Sequence, residues 1–156
     1  MDIRFAIITC STTRTIEEDT AGAALEERIS AQGWTLVERV VVPDERSLIS
    51  DAIVAAATAG ADVILTCGGS GLSLMDVTPE ATADVCDRNV PGIAEAMRAA
   101  SMEKTRRAML SRAVCMQRGS SLVINLPGSL KAATECFDAV YDQLEHAVSM
   151  TAGEGH

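Results

Sequence analysis

The chain has 156 residues, a length that accommodates one domain around a continuous core and requires neither a metal nor disulfides to hold it. Thirteen Lys and Arg against 22 Asp and Glu leave a formal charge of −9, which argues against nucleic acid and anionic membranes as partners. Five cysteines without CxxC spacing give no disulfide framework and no zinc site, and the absence of a targeting or membrane-spanning run predicts a cytoplasmic protein.

Ile3 to Thr9 is a nearly continuous apolar run followed by the polar segment Ser11 to Thr15, the pattern of a strand buried on both faces and ending in a loop. From Asp19 to Gln32, Ala21, Leu25 and Ile29 recur every four residues. Asp19 or Thr20 can cap the start and Gly33 suits the end, which predicts a helix. Trp34 to Val42 is β-branched and half alternating, and Pro43 stops it. Asp44 then opens a second helix with Leu48, Ile49, Ala52, Ile53 and Ala56 on its apolar face, closing near Gly60.

Asp62 to Thr66 is a third buried strand that runs directly into Cys67-Gly68-Gly69-Ser70-Gly71. Thr78 as N-cap, Pro79 at the first helical position and Glu80 in the first turn then predict another helix. Pro91 to Ala100 reads as a helix, Arg112 to Gln117 as an edge strand, and Ser121 to Leu126 as an apolar strand ending in Pro127-Gly128-Ser129. Leu130, Ala133, Phe137, Val140, Leu144 and Val148 form one core-facing stripe of a last helix, with Ser129 as N-cap. Strands alternating with helices predict a three-layer α/β/α sandwich with a mostly parallel sheet and one antiparallel edge strand. The domain spans residues 1–150, and 151–156 are expected to be a flexible tail.

Ligands of open parallel sheets bind at the carboxyl ends of the strands. Four such ends carry Gly, Ser, Thr or Asp: Ser11 to Thr13, Pro43-Asp44, Thr66 to Gly71 and Pro127 to Ser129. In one crevice they would offer backbone N–H groups to phosphate oxygens and two carboxylates, Asp44 and Asp76, to Mg²⁺. A helix terminus alone gives a partly exposed anion only about 0.3 to 1 kcal/mol, so on a surface of this sign a divalent cation is expected. Plainer roles remain open: an N-cap for Asp44 and Ser129, a turn for Asp76, and a tight bend for Gly68, Gly69 and Gly71. Cys67 has no histidine near it in sequence, and His146 and His156 are poorly placed as general bases. Arg98, Lys104, Arg106, Arg107 and Arg112 form the densest basic region, either a solvated face or a phosphate contact.

Four ordered segments, 66–82 (TCGGSGLSLMDVTPEAT), 90–98 (VPGIAEAMR), 108–113 (AMLSRA) and 125–129 (NLPGS), together resemble the molybdenum cofactor biosynthesis family across nearly the whole chain. The resemblance implies a homotrimer in which Mg²⁺ is the cofactor, ATP the co-substrate and molybdopterin the substrate. Adenylylation of the pterin's terminal phosphate would release pyrophosphate and precede molybdate insertion by a partner protein. By the same resemblance Asp44 and Asp76 orient metal and phosphates, Gly68, Gly69, Ser70 and Gly71 cradle a phosphate, and Pro127, Gly128 and Ser129 close the site. Ser11, Thr66 and Asn125 belong to the same binding set, and Ser101 resembles a substrate-contacting serine. Leu74-Met75 stands where many relatives carry Pro-Arg, and Cys67 and Ser70 each replace a threonine. The missing arginine leaves a second reading open, a protein that binds or carries molybdopterin without nucleotide chemistry.

Overall fold

The computed structural model describes residues 1–154. Strands β1 (Arg4–Cys10), β2 (Thr35–Val42), β3 (Val63–Cys67), β4 (Arg88–Asn89), β5 (Cys115–Arg118) and β6 (Ser121–Leu126) form one sheet in the order β2-β1-β3-β6-β5-β4. The pairs β1/β2, β1/β3 and β3/β6 are parallel, and β5 runs antiparallel to β6. The expected antiparallel strand is therefore present, but it does not end the sheet: β4 pairs beyond it, Arg88 opposite Gln117. It also starts later than expected, because the Arg112 amide is drawn out of the ladder to the Ser70 carbonyl, 2.8 Å away.

Helices cover both faces. On one, α1 (Thr20–Ala31), α4 (Pro91–Met102) and α5 (Leu130–Val140) enclose Phe5, Ile7, Leu65 and Ile124; on the other, α2 (Arg46–Thr58) and α3 (Thr78–Val85) cover Ala6, Ile8, Ile64 and Val123. Successive strand residues thus enter opposite cores, which is why the central strands read as unbroken apolar runs. Phe5 stacks on Trp34 at 5.1 Å and meets Phe137 edge-on at 6.4 Å, so three of the few aromatics knit β1 to α5. Burying each phenylalanine is worth about 1.5–3 kcal/mol.

Three local expectations are corrected. The second helix begins at Arg46 with Glu45, not Asp44, in the capping position. The Asp44 carboxylate is instead held by Thr12, whose amide and hydroxyl both donate to its Oδ2 at 3.2 and 3.1 Å. Thr78 is not an N-cap: Val77 occupies that position, and the Thr78 hydroxyl donates to the Gly68 carbonyl at 2.9 Å. The stripe from Leu130 to Val148 is not one helix. A 3-10 turn, Tyr141–Gln143, separates α5 from α6 (Leu144–Thr151), with Tyr141 stacked on Phe137. Val140 and Leu144 on either side both remain buried, so the apolar spacing survives the break and hides it. Asp19 and Ser129 cap α1 and α5 as expected, accepting from Gly22 and Ala132. Of the segment read as a tail, α6 takes in Thr151, and residues 155–156, with His156, lie outside the described residues.

Candidate active site

β1 leads outward to β2 while β3 lies on β1's other side, so the loops after β1 and β3 diverge at a topological switch point. The loop after β3 turns sharply, with Gly68 and Gly69 at φ +97° and +71°, values that only glycine adopts without strain. Its neighbours press close. A Cβ on Gly68 would stand 2.8 Å from the Cys10 carbonyl oxygen, and one on Gly128 would stand 3.2 Å from the Gly68 Cα. A Cβ on Gly69 would lie 3.5 Å from Asp44 Oδ1. Arg14, from the loop after β1, donates to the Gly128 carbonyl at 3.1 Å. The four strand ends therefore meet.

Beside this junction lies a cleft of about 510 Å³ between the glycine loop, the loop after β6, α4, α5 and the 3-10 turn Arg106–Leu110. Gly68, Gly69, Ser70, Gly71, Asp76, Ser101, Asn125, Pro127 and Gly128 all stand on its wall. Ser11 faces a separate shallow groove with Thr12 and Pro43, and Asp44 sits at the junction behind Gly69. Thr66 is fully buried and Ser129 caps α5.

Each carboxylate keeps one oxygen without a bond to any described residue. Asp76 Oδ2 accepts from the Gly71 amide at 3.0 Å, and Asp44 Oδ2 accepts from Thr12, leaving the two Oδ1 atoms. The amides of Gly69, Ser70 and Gly128 likewise donate to none of the described residues, whereas that of Gly68 is tied to the Leu126 carbonyl. Hard carboxylate oxygens beside free amides are what Mg²⁺ and phosphate require, since Mg²⁺ takes one or two carboxylates and completes its shell with phosphates and water. Among the described residues no group of three or more His, Cys, Asp and Glu converges on a metal position. Phosphate and water would therefore supply the remaining ligands.

Arg112 builds the loop's far wall. Its guanidinium donates to the Gly71 carbonyl at 2.7 Å and the Asp76 carbonyl at 2.8 Å, and forms a two-point pair with Glu80 at 2.6 and 3.3 Å. The pair holds the Glu80 carboxyl below its ordinary range. Asn125, on the cleft wall, is itself fully buried. Its side-chain amide donates to the hydroxyls of Thr66 and Thr82, both at 3.0 Å, and its oxygen accepts from the Val114 amide. Asn125→Ala should cost about 2–3 kcal/mol in urea unfolding, because the Val114 amide and the Thr66 hydroxyl lose their partner out of reach of water. A variant as stable as wild type would show that water replaces the side chain.

Cys67 is fully buried, and burial, reinforced by Asp19, raises its thiol pKa. Burial likewise pushes Cys10 and Cys115 to about 12. None is a nucleophile at neutral pH. Iodoacetamide on native protein should label half-exposed Cys86 first and leave Cys67 unmodified, as read by peptide mass spectrometry. Labelling at Cys67 would mean that the loop opens.

Arg98 and Arg107 of the basic region also stand on the wall, while Met97, Glu135 and Cys136 escaped the sequence reading of the site. Met97 and Ser101, four apart on α4, share the face that looks into the cleft, a spacing that carries signal once one of the two is suspected. The Ser101 hydroxyl lies 3.4 Å from the Cys136 thiol.

An α/β sandwich with a glycine-lined cleft beside its switch point belongs to the doubly wound class, whose ligands bind at this end of the sheet. Residues 6–146 match the family described as "Probable molybdopterin binding domain", and the chain belongs to this molybdenum cofactor biosynthesis family. It is 38% identical over 141 residues to a molybdopterin adenylyltransferase of Helicobacter pylori, covering 88% of this chain and 80% of that one. The fold is similar to the crystal structure of a molybdenum cofactor biosynthesis protein B, with a TM-score of 0.94 and 31% identity over 99% of this chain and 98% of that one. It is also similar to the molybdopterin biosynthesis enzyme MoaB of Thermus thermophilus, with a TM-score of 0.88 and 40% identity over 97% and 98% of the two chains. No helix among the described residues is long and apolar enough to cross a membrane.

Proposed function

We propose that the chain transfers the adenylyl group of Mg-ATP to the terminal phosphate of molybdopterin, giving adenylyl-molybdopterin and pyrophosphate. The observation that carries this reading is the placement of two one-sided carboxylates along one glycine loop, Asp44 behind Gly69 and Asp76 on the Gly71 amide, with the free amides of Gly69 and Ser70 between them in sequence. A pterin phosphate oxygen attacks the α-phosphorus, a new P–O bond forms, and the bond to the β-phosphate breaks. The glycine-loop amides hold and orient phosphate oxygens, so catalysis is positioning and charge neutralisation. Asp44 and Asp76 would hold Mg²⁺, which when bound supplies neutralisation of the phosphate charge. The reading extends to a cytoplasmic homotrimer that hands its product to a molybdate-insertion protein, on the strength of the family resemblance.

The direct test is to incubate purified protein with molybdopterin, Mg²⁺ and radiolabelled ATP. Adenylylated pterin that depends on Asp76 supports the enzyme. The exposed Met75, in place of the arginine of many relatives, favours a carrier as the second reading. Tight pterin retention without product or ATP binding would establish it.

A further inference from the structure

Of the basic residues that the sequence concentrates between positions 98 and 112, most are engaged. Arg98 donates to the carbonyls of Ala113 at 2.8 Å and Ser111 at 3.5 Å. Lys104 stands 3.9 Å from Glu135, and Arg112 is held by Glu80 and two loop carbonyls. Arg106 does not border the cleft. Arg107 does, and among the described residues its guanidinium has neither a hydrogen-bond acceptor nor an ion-pair partner, while its backbone amide is fixed by the Thr105 hydroxyl.

The charges facing it leave a gap that an anion fits. Asp76 and Glu135 border the same cleft, and neither forms an ion pair with Arg107; Glu135 is paired with Lys104 instead. Ala94, Met97, Ala108 and Ala132 make much of the remaining wall apolar, so among the cleft's described residues few other polar groups compete with the guanidinium for an anion. A guanidinium in this setting binds a phosphate through two parallel N–H donors, a stronger and more directional contact than an ammonium makes.

We propose that Arg107 is the phosphate anchor of this cleft, binding the phosphate ester of a substrate from the 3-10 turn that borders it. It supplies on the 3-10 turn a positive charge that position 75, occupied here by the exposed Met75, does not. The proposal rests on the adenylylation reading for whose phosphate is bound, pterin or nucleotide, and not for the anchor itself.

The test compares Arg107→Ala and Arg107→Lys with wild type by steady-state kinetics, varying molybdopterin and Mg-ATP in turn. Arg107 is exposed, so both variants should keep the wild-type melting temperature. A KM for molybdopterin raised tenfold or more in Arg107→Ala, with kcat and the KM for ATP nearly unchanged and partial recovery in Arg107→Lys, assigns the anchor to the pterin phosphate. The same rise confined to Mg-ATP assigns it to the nucleotide. Neither KM moving overturns the anchor. If wild type turned nothing over, the functional reading would fail, and pyrophosphate titration would still decide Arg107. Binding to wild type that weakens tenfold in Arg107→Ala supports the anchor, whereas equal binding or none overturns it.

Discussion

Asp76→Asn should lower product formation by at least about 100-fold, the scale on which loss of one preorganised charge-stabilising group acts, with the melting temperature close to wild type. The two halves of this expectation come from the two oxygens of one side chain. Oδ2 accepts from the Gly71 amide, and an asparagine carbonyl can accept the same bond, so the turn from Gly71 to Asp76 persists. The other oxygen points to no described residue, and replacing it with an amide removes the charge and the lone pairs that a cation would use. Arg112 also holds the Asp76 backbone carbonyl rather than its carboxylate, so that restraint is untouched.

Asp44→Asn should behave alike. Thr12 can still donate to the asparagine oxygen, and the Thr12 hydroxyl still accepts from the residue's own amide at 3.1 Å. Turnover at the wild-type rate in both variants would sink the site assignment, and loss of folding would return these acids to a structural role. The carrier reading separates cleanly, since it expects pterin retention in wild type and no product to lose.

How far the sequence foretold these residues depended on whether their role is local. The Asp19 and Ser129 caps were legible because a cap is set by the next three residues. The parallel core was legible because strands buried on both faces carry unbroken apolar runs. Thr78, and Asp44 in its plainer role, look like caps for the same reason, and neither is one. Each is a good capping residue at a helix start, and each is diverted by a partner distant in sequence, Thr12 and Gly68. Strand β4 has two residues and cannot show periodicity. Arg107 and Arg112 look alike in sequence, and their difference, one free in a cleft and one bound to Glu80, exists only in the assembled fold.

Gly69→Ala should destabilise the chain by about 2–3 kcal/mol and weaken ligand binding with it. A left-handed backbone costs a residue with a Cβ about 1–2 kcal/mol, and Gly69 sits at φ +71°. The new methyl would also collide with the Thr78 hydroxyl, which is fully buried and bonded to the Gly68 carbonyl, and losing that bond adds about 1 kcal/mol. Urea unfolding separates the two causes through a second glycine. Gly119 has φ +53° with nothing within 4 Å of the place its methyl would occupy, so Gly119→Ala reports the backbone cost alone. Equal midpoints for the two variants would show that Thr78 moves aside freely and that the loop is not held from below. A larger loss at Gly69, with weaker Mg-ATP or pterin binding, would show that Thr78 and Gly69 together fix the distance between the glycine loop and Asp44.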